Sequence, residues 1–199
     1  KLADNTKVLD VGCRNASVLL IKNVKPNCEY TGIDISDYHQ TAHSKSQMDK
    51  YILTSADKFA QSIRELDNKF DAVICSHNLE HVDDMSGVPD AMLSKVVNEG
   101  VVYLAFPCSN SVNFPMRNGT LNYYDDNTHQ LSPPDFDLII KTLIQRGFEV
   151  EFAVKRYRPF ILAIIGLILE PISILQSKVL LGTWEFFGFE TIIQARKKQ

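Results

Sequence analysis

The residues with the clearest chemical address lie where short apolar runs end. The run 7–11 (KVLDV) stops at Gly12, and the run 29–33 (EYTGI) stops at Asp34, 22 residues beyond that glycine. A glycine at such a turn lets the backbone approach a ligand, and the helix after it offers its first N–H groups. An acidic residue about 20 positions further on is placed to accept hydrogen bonds from ribose hydroxyls. A third run, 51–54 (YILT), is followed by Asp57, whose carboxylate can accept from an exocyclic amine or cap the helix beside it.

Other reactive residue types carry less. The cysteines at 13, 28, 75 and 108 form no C-x-x-C and no Cys/His spacing suited to zinc. Cys13 and Cys75 read as small buried hydrophobes, and a nucleophilic Cys75 is the lesser alternative. His39 and His43 share a helical face with no third ligand nearby. The acidic stretch around Asp125 and Asp126 lacks the spacing of a calcium loop, so no metal is expected.

These residues need a scaffold that gathers strand ends at one edge. Apolar runs at 7–11, 29–33, 51–54, 70–75 and 101–106 alternate with helical stretches at 17–23, 36–45, 57–66 and 86–98. Continuous rather than alternating hydrophobicity predicts strands buried on both faces, hence an α/β fold with a doubly wound, mostly parallel sheet. Ligands bind such sheets outside the carboxyl ends of the strands, where the strand order reverses. After Phe106 the pattern breaks into a long aperiodic segment, 107–132. A helix follows, with Ser132 as N-cap, Pro133 at its first position and Gly147 after its end. Strands are expected at 148–154 and 186–195.

Composition sets outer bounds. The 199 residues, 45% of them apolar, suit a single domain over 1–199. A net charge of -3, with basic residues clustered only at Arg196–Lys198, argues against nucleic acid as the partner. Unpaired cysteines and no apolar leader in the first seven residues point to the cytoplasm. The run 160–169 (FILAIIGLIL), closed by Glu170 and Pro171, is half the roughly 20 residues a spanning helix needs. It is expected to be a core helix, a dimer face or a peripheral membrane contact.

The segments VLDVGCRNAS (8–17), TGIDIS (31–36), SAD (55–57) and FDAVICSHNLEHV (70–82) together resemble the ordered motifs of class I S-adenosylmethionine-dependent methyltransferases. The likeness is to the small-molecule branch that includes ubiquinone and menaquinone biosynthesis enzymes, and it continues through GVVYLAFP (100–107) and the segment 129–150. It implies a Rossmann-like seven-stranded sheet whose last strand lies antiparallel between the fifth and sixth. It also implies S-adenosyl-L-methionine as cofactor. Asp10 would then organise the turn near the methionine amino group, with Gly12 facing the cofactor backbone. Asp34 would hold the ribose and Ile35 the adenine face, Asp57 would read the adenine amine, and Ser76 and His77 would line the methionine end. The family's usual second and third glycines are Arg14 and Ala16 here. An Arg14 forced to positive φ would be strained and would obstruct the groove. With an ordinary backbone its guanidinium could reach the cofactor carboxylate or an anionic substrate.

Methyl transfer from a sulfonium to a hydroxyl needs the acceptor positioned and its proton removed, a task suited to histidine. His81, just past the fourth strand, and His129, at the end of the long segment, are the candidates for this base. The acceptor is expected to be a small molecule held by 107–132 and 157–184, with Arg117 receiving a phosphate or carboxylate and Tyr123 and Tyr124 forming a lid. The competing reading is a non-catalytic binding module whose cofactor turn is degraded at Arg14. A nicotinamide dehydrogenase is the weaker third option, since FDAVICSHNLEHV has no counterpart there.

Overall fold

A computed structural model describes residues 5–14, 17–37, 40–82, 87–129 and 131–199. Ala16, His39 and the expected helix start at Ser86 lie outside the described residues. One seven-stranded sheet organises the chain, in the order β3-β2-β1-β4-β5-β7-β6. Its strands are β1 (Lys7–Val11), β2 (Glu29–Asp34), β3 (Lys50–Leu53), β4 (Phe70–Ser76), β5 (Val96–Pro107), β6 (Phe148–Val154) and β7 (Glu190–Lys197). β1 to β5 pair in parallel, and β7 runs antiparallel between β5 and β6, as the resemblance implied.

The central strands are buried on both faces, which is why their sequences lack alternation. Leu9 and Val11 of β1 join Ile33, Val73 and Cys75 in one core, while Val8 joins Cys13, Tyr30 and Ala72 in a second. Strand order reverses between β1 and β4, whose register sets Val11 opposite Cys75. The carboxyl ends of β1, β2, β4 and β5 therefore share one edge. Since Glu190 of β7 pairs with Pro107 at the end of β5, the first residue of an antiparallel strand reaches that edge too.

The helices are α1 (Ser17–Val24), α2 (Ala42–Ser46), α3 (Phe59–Arg64), α4 (Gly87–Ser94), α5 (Phe136–Gln145), α6 (Phe160–Gln176) and α7 (Thr183–Phe187). Several boundaries differ from expectation, among them α2, which begins at Ala42 behind a Thr41 cap and not at position 36, and α3, which spans Phe59–Arg64 within the expected 57–66. β5 begins at Val96, inside the expected fourth helix, because Val96 pairs with Phe70 ahead of a bulge. α5 is capped by Asp135, whose carboxylate accepts from the N–H groups of Asp137 and Leu138, and not by Ser132. Residues 186–189, assigned to the last strand, instead finish α7 and turn through Gly188. α6 runs through Glu170 and Pro171 to Gln176, seven residues past the expected stop.

The continuation of α6 has a tertiary cause. Glu170, which should have ended the apolar helix in water, is turned inward and held by both terminal nitrogens of Arg117 at 2.6 and 2.8 Å. Arg117 also donates to the buried Ser173 hydroxyl at 2.6 Å. Beside this pair, the Asn118 N–H donates to the Ser177 carbonyl while the Asn118 carbonyl accepts from the Val179 N–H, and the Trp184 indole donates to the Thr120 carbonyl. Segments 107–132 and 157–184 thus form one clamped unit. A side chain at Gly166 would meet the Gly182 carbonyl oxygen at 1.9 Å, so α6 sits against the turn before α7 at backbone distance.

Removing one member of a buried pair leaves the other charge uncompensated. Glu170→Gln should therefore lower the unfolding free energy by about 3 kcal/mol in a urea titration. A loss within about 0.5 kcal/mol would show that Arg117 finds another partner.

Candidate functional site

The cofactor edge is built around a turn that only glycine fits. Gly12 has a φ of 75°, its N–H donates to the Ile33 carbonyl, and a Cβ there would meet the Asn78 side chain at 2.4 Å. Just before it, Asp10 is buried, accepts from the Tyr30 hydroxyl at 2.6 Å, and has its pKa pushed up to about 6 by that burial. Among the described non-glycine residues, positive φ occurs at His77, Glu99, Thr120 and Ser177 and not at Arg14. Arg14 therefore takes the ordinary-backbone alternative, without the strain a positive φ would bring. Its guanidinium extends to the ring of His81, Nη2 to Nε2 at 3.0 Å.

Several expected residues converge. Ile35, Asp57 and His81 line a single cleft, together with Phe59, Asn78 and Val82. Asp34 stands at the end of β2, accepts from the Ile35 N–H at 2.7 Å, and has a raised pKa because burial outweighs its backbone hydrogen bonds. Asp57 lies in the first turn of a short 3₁₀ segment (Ala56–Lys58), its carboxyl held below the usual range first by the Ser55 hydroxyl. Ser76 closes β4. The amide oxygen of Asn78, buried without a partner, is a residue that sequence reasoning passed over.

Beyond the cleft lies a second cluster. The rings of His81 and His129 stand 4.7 Å apart, and His129 stacks on Tyr123 at 4.3 Å. The His129 Nδ1 lies 2.6 Å from the Tyr123 carbonyl, which can only accept, so that nitrogen carries the proton and a neutral ring keeps its lone pair on Nε2. The same reasoning fixes His81. Arg14 can only donate to its Nε2, so Nδ1–H donates to the Thr128 hydroxyl, which in turn donates to Asp126 at 2.5 Å. Burial, above all, lowers the pKa of His81, with the Glu80 charge opposing it and His129 and Arg14 adding to it. Glu80 is buried and its Oε2 has no partner. Glu80, His81 and His129 each place one donor atom within 4.8 Å of the others, a spacing that can hold a divalent cation.

Other expected residues point elsewhere. His77, placed by the resemblance at the methionine end, has a φ of 50°, and its ring bridges Glu80 at 3.2 Å and Glu190 at 2.7 Å. Burial disfavours its charge, but hydrogen bonds to the two carboxylates outweigh that and raise its pKa to about 9. It is protonated at neutral pH and cannot serve there as a base. Arg117 is committed to Glu170 and Ser173 and is not presented to an anionic ligand. Tyr123 is buried with its hydroxyl unpartnered, whereas Tyr124 is exposed. Asp125 accepts three backbone N–H groups, from Arg117, Leu121 and Asn122, and so shapes the loop. Glu80 was in view within the LEH phrase, but Glu190 had no sequence signal, because it reaches the site only through the β5–β7 register.

A sheet of this order, with a glycine turn, strand-end carboxylates and a cleft at the point of strand reversal, defines a class I S-adenosylmethionine-dependent methyltransferase. The chain belongs to the methyltransferase-domain family, whose model matches residues 1–151, and S-adenosylmethionine is its cofactor. It is 27% identical over 173 residues to a ubiquinone biosynthesis O-methyltransferase of Hydrogenovibrio crunogenus, covering 78% of this chain and 70% of that protein. Two solved structures share the fold. A methyltransferase from Mesorhizobium loti aligns with a TM-score of 0.63 at 14% identity, over 98% of this chain and 94% of that one. One from Archaeoglobus fulgidus aligns at 0.55 with 21% identity, over 96% and 86%.

The His77 geometry carries a stability signature. Its folded pKa exceeds the unfolded value of 6.5, so its contribution is complete below that pH and vanishes as pH rises through about 9. Relative to His77→Gln, the wild type should be more stable by about 3 kcal/mol at pH 6 and lose that advantage by pH 10. Unfolding curves whose difference does not change with pH would contradict the assignment.

Proposed function

We propose that the enzyme methylates a hydroxyl group of a small-molecule acceptor, with His129 as the base that takes the hydroxyl proton. The observation that carries this reading is the hydrogen bond between His129 Nδ1 and the Tyr123 carbonyl, which in the neutral ring leaves the lone pair on Nε2, in a cluster where His129, His81 and Glu80 place donor atoms within 4.8 Å of one another. As His129 accepts a proton, the Glu80 carboxylate, with one oxygen unpartnered, would stabilise the resulting imidazolium. His81, held between Arg14 and Thr128, orients the pair. The similarity to an O-methyltransferase of ubiquinone biosynthesis supports a hydroxyl acceptor. Segments 107–132 and 157–184 supply the acceptor side, with Tyr123 and Tyr124 as its aromatic wall.

The cofactor, when bound, supplies an electrophilic methyl group. The residues present fit it. Asp34 would accept from the ribose, Ile35 and Asp57 would hold the adenine, and Gly12 would leave the backbone approachable. The unpartnered buried oxygen of Asn78, beside Gly12, offers an acceptor for the cofactor's polar groups. A divalent cation on Glu80, His81 and His129 is a second reading, favoured by the unpartnered Glu80 oxygen and the donor spacing.

His129→Gln should lower kcat by a factor of about 10² to 10⁴ on a hydroxyl acceptor while S-adenosylhomocysteine affinity, by calorimetry, stays within about twofold. An unchanged kcat would remove His129 from the role. Turnover that a chelator abolishes and added Mg²⁺ or Zn²⁺ restores would transfer the cluster to the cation reading. Asp34→Ala should weaken S-adenosylhomocysteine binding by about 10-fold or more, the value of one charge-assisted hydrogen bond.

A further inference from the structure

Helix α6 is inside out. Its inner face carries Gly166, Glu170 and Ser173, with Gly166 and Ser173 buried and Glu170 held by Arg117. Its outer face presents Phe160, Ile161, Ile164, Leu167, Ile168 and Leu175. Those side chains recur at helical spacing and form one stripe, with Phe160 78% and Leu175 87% exposed at its two ends. A water-facing helix distributes polarity the other way round. Seventeen residues at 1.5 Å each make a stripe about 25 Å long, and no helix among the described residues is long and apolar enough to cross a membrane.

The charges around the stripe favour one occupant. The chain has a net charge of -3, yet residues 155–178 contain Lys155, Arg156, Arg158 and Lys178 against Glu170 alone. Glu170 faces inward on Arg117, so the outer face carries no carboxylate. Exposed basic groups stand just beyond both ends of the helix, Arg158 before Phe160 and Lys178 after Gln176. A second copy of this chain is disfavoured by the same arrangement. Antiparallel pairing of two stripes would set Arg158 against Lys178, and parallel pairing would set Arg158 against Arg158, like charges meeting in either case.

We infer that the outer face of α6 docks flat on an anionic lipid surface, its apolar stripe at the acyl boundary and Arg158 and Lys178 at the headgroups. The helix is fixed to the body of the protein by Arg117–Glu170 and the Gly166–Gly182 contact, so it meets the membrane already folded. Binding combines buried apolar area with attraction worth about 1 kcal/mol per basic residue.

The test uses the full chain in co-sedimentation with vesicles of phosphatidylglycerol and, separately, of phosphatidylcholine. The expected result is binding to phosphatidylglycerol vesicles that weakens with salt and is much lower on phosphatidylcholine. Ile164→Ser, Ile168→Ser and Leu175→Ser combined should reduce it by about tenfold or more, with melting temperature and S-adenosylhomocysteine affinity unchanged. Lys178→Gln alone should reduce it by about fivefold. Failure of the wild type to sediment with phosphatidylglycerol, or equal sedimentation of the triple variant, would overturn the inference. So would a solution dimer, by light scattering, that the triple variant converts to monomer. None of these readouts uses an acceptor, so their failure would leave the hydroxyl-methylation reading standing.

Discussion

The histidine cluster beyond the cleft turns on one buried carboxylate. Glu80 sits just past β4, with one oxygen against His77 and the other unpartnered, and its carboxylate lies in a cluster with His81 and His129. A carboxylate removed from water is costly unless a charge or several donors compensate it. The compensation here is a protonated His77, and that proton is retained because Glu190 grips the opposite ring nitrogen and adds to the pull of Glu80 itself. Glu190 in turn is brought to this edge by the insertion of β7 between β5 and β6. The antiparallel strand is thus part of the electrostatics of the site as well as of the sheet.

The strained backbone at His77 belongs to the same constraint. A non-glycine φ of 50° costs energy that surrounding contacts must offset. Two hydrogen bonds to carboxylates and a stack on Phe189 hold the ring where only that backbone can deliver it. On the cofactor side the roles are reversed. Gly12 takes the positive φ without strain, and the space it leaves is filled by Asn78 from the next residue pair along β4's exit. The two sides of the crevice are therefore joined through a four-residue stretch, 77–80, in which Asn78 packs on Gly12 while His77 links Glu80 to Glu190 of β7.

Most of the sheet could be read from the chain, because burial on both faces leaves unbroken apolar runs that need no tertiary knowledge to recognise. So could much of the cleft, since Ile35, Asp57 and His81, which line it, come just after strands, and a parallel sheet brings such residues to one edge. What could not be read depended on partners distant in sequence. The cap expected at Ser132 falls instead to Asp135, whose carboxylate accepts from the N–H groups of Asp137 and Leu138. Glu170 and Pro171 are sound stop signals for an apolar helix in water, yet Arg117, 53 residues away, cancels the first of them. Arg117 itself looked like a free anion receptor for the same reason: its carboxylate partner lies on a different segment.

That ion pair also helps to order the long aperiodic segment after β5, whose own secondary structure is two short 3₁₀ turns, Ser109–Asn113 and Tyr123–Asp125. Loops of such length usually carry a specific task or lack fixed structure. This one is fastened at Arg117, Asn118 and Thr120 to α6 and its flanks, then folded by Asp125 around three N–H groups, and it ends on the histidine that stacks against Tyr123. The position of His129 is consequently set by α6 through a short chain of polar contacts, Glu170 to Arg117 to the Asp125 turn to Tyr123. An outward apolar face on the very helix that anchors this chain has a physical logic. The inner side of α6 is spent on polar contacts that order the loop, which leaves the helix too little apolar surface facing inward to bury, and the surplus is displayed outward.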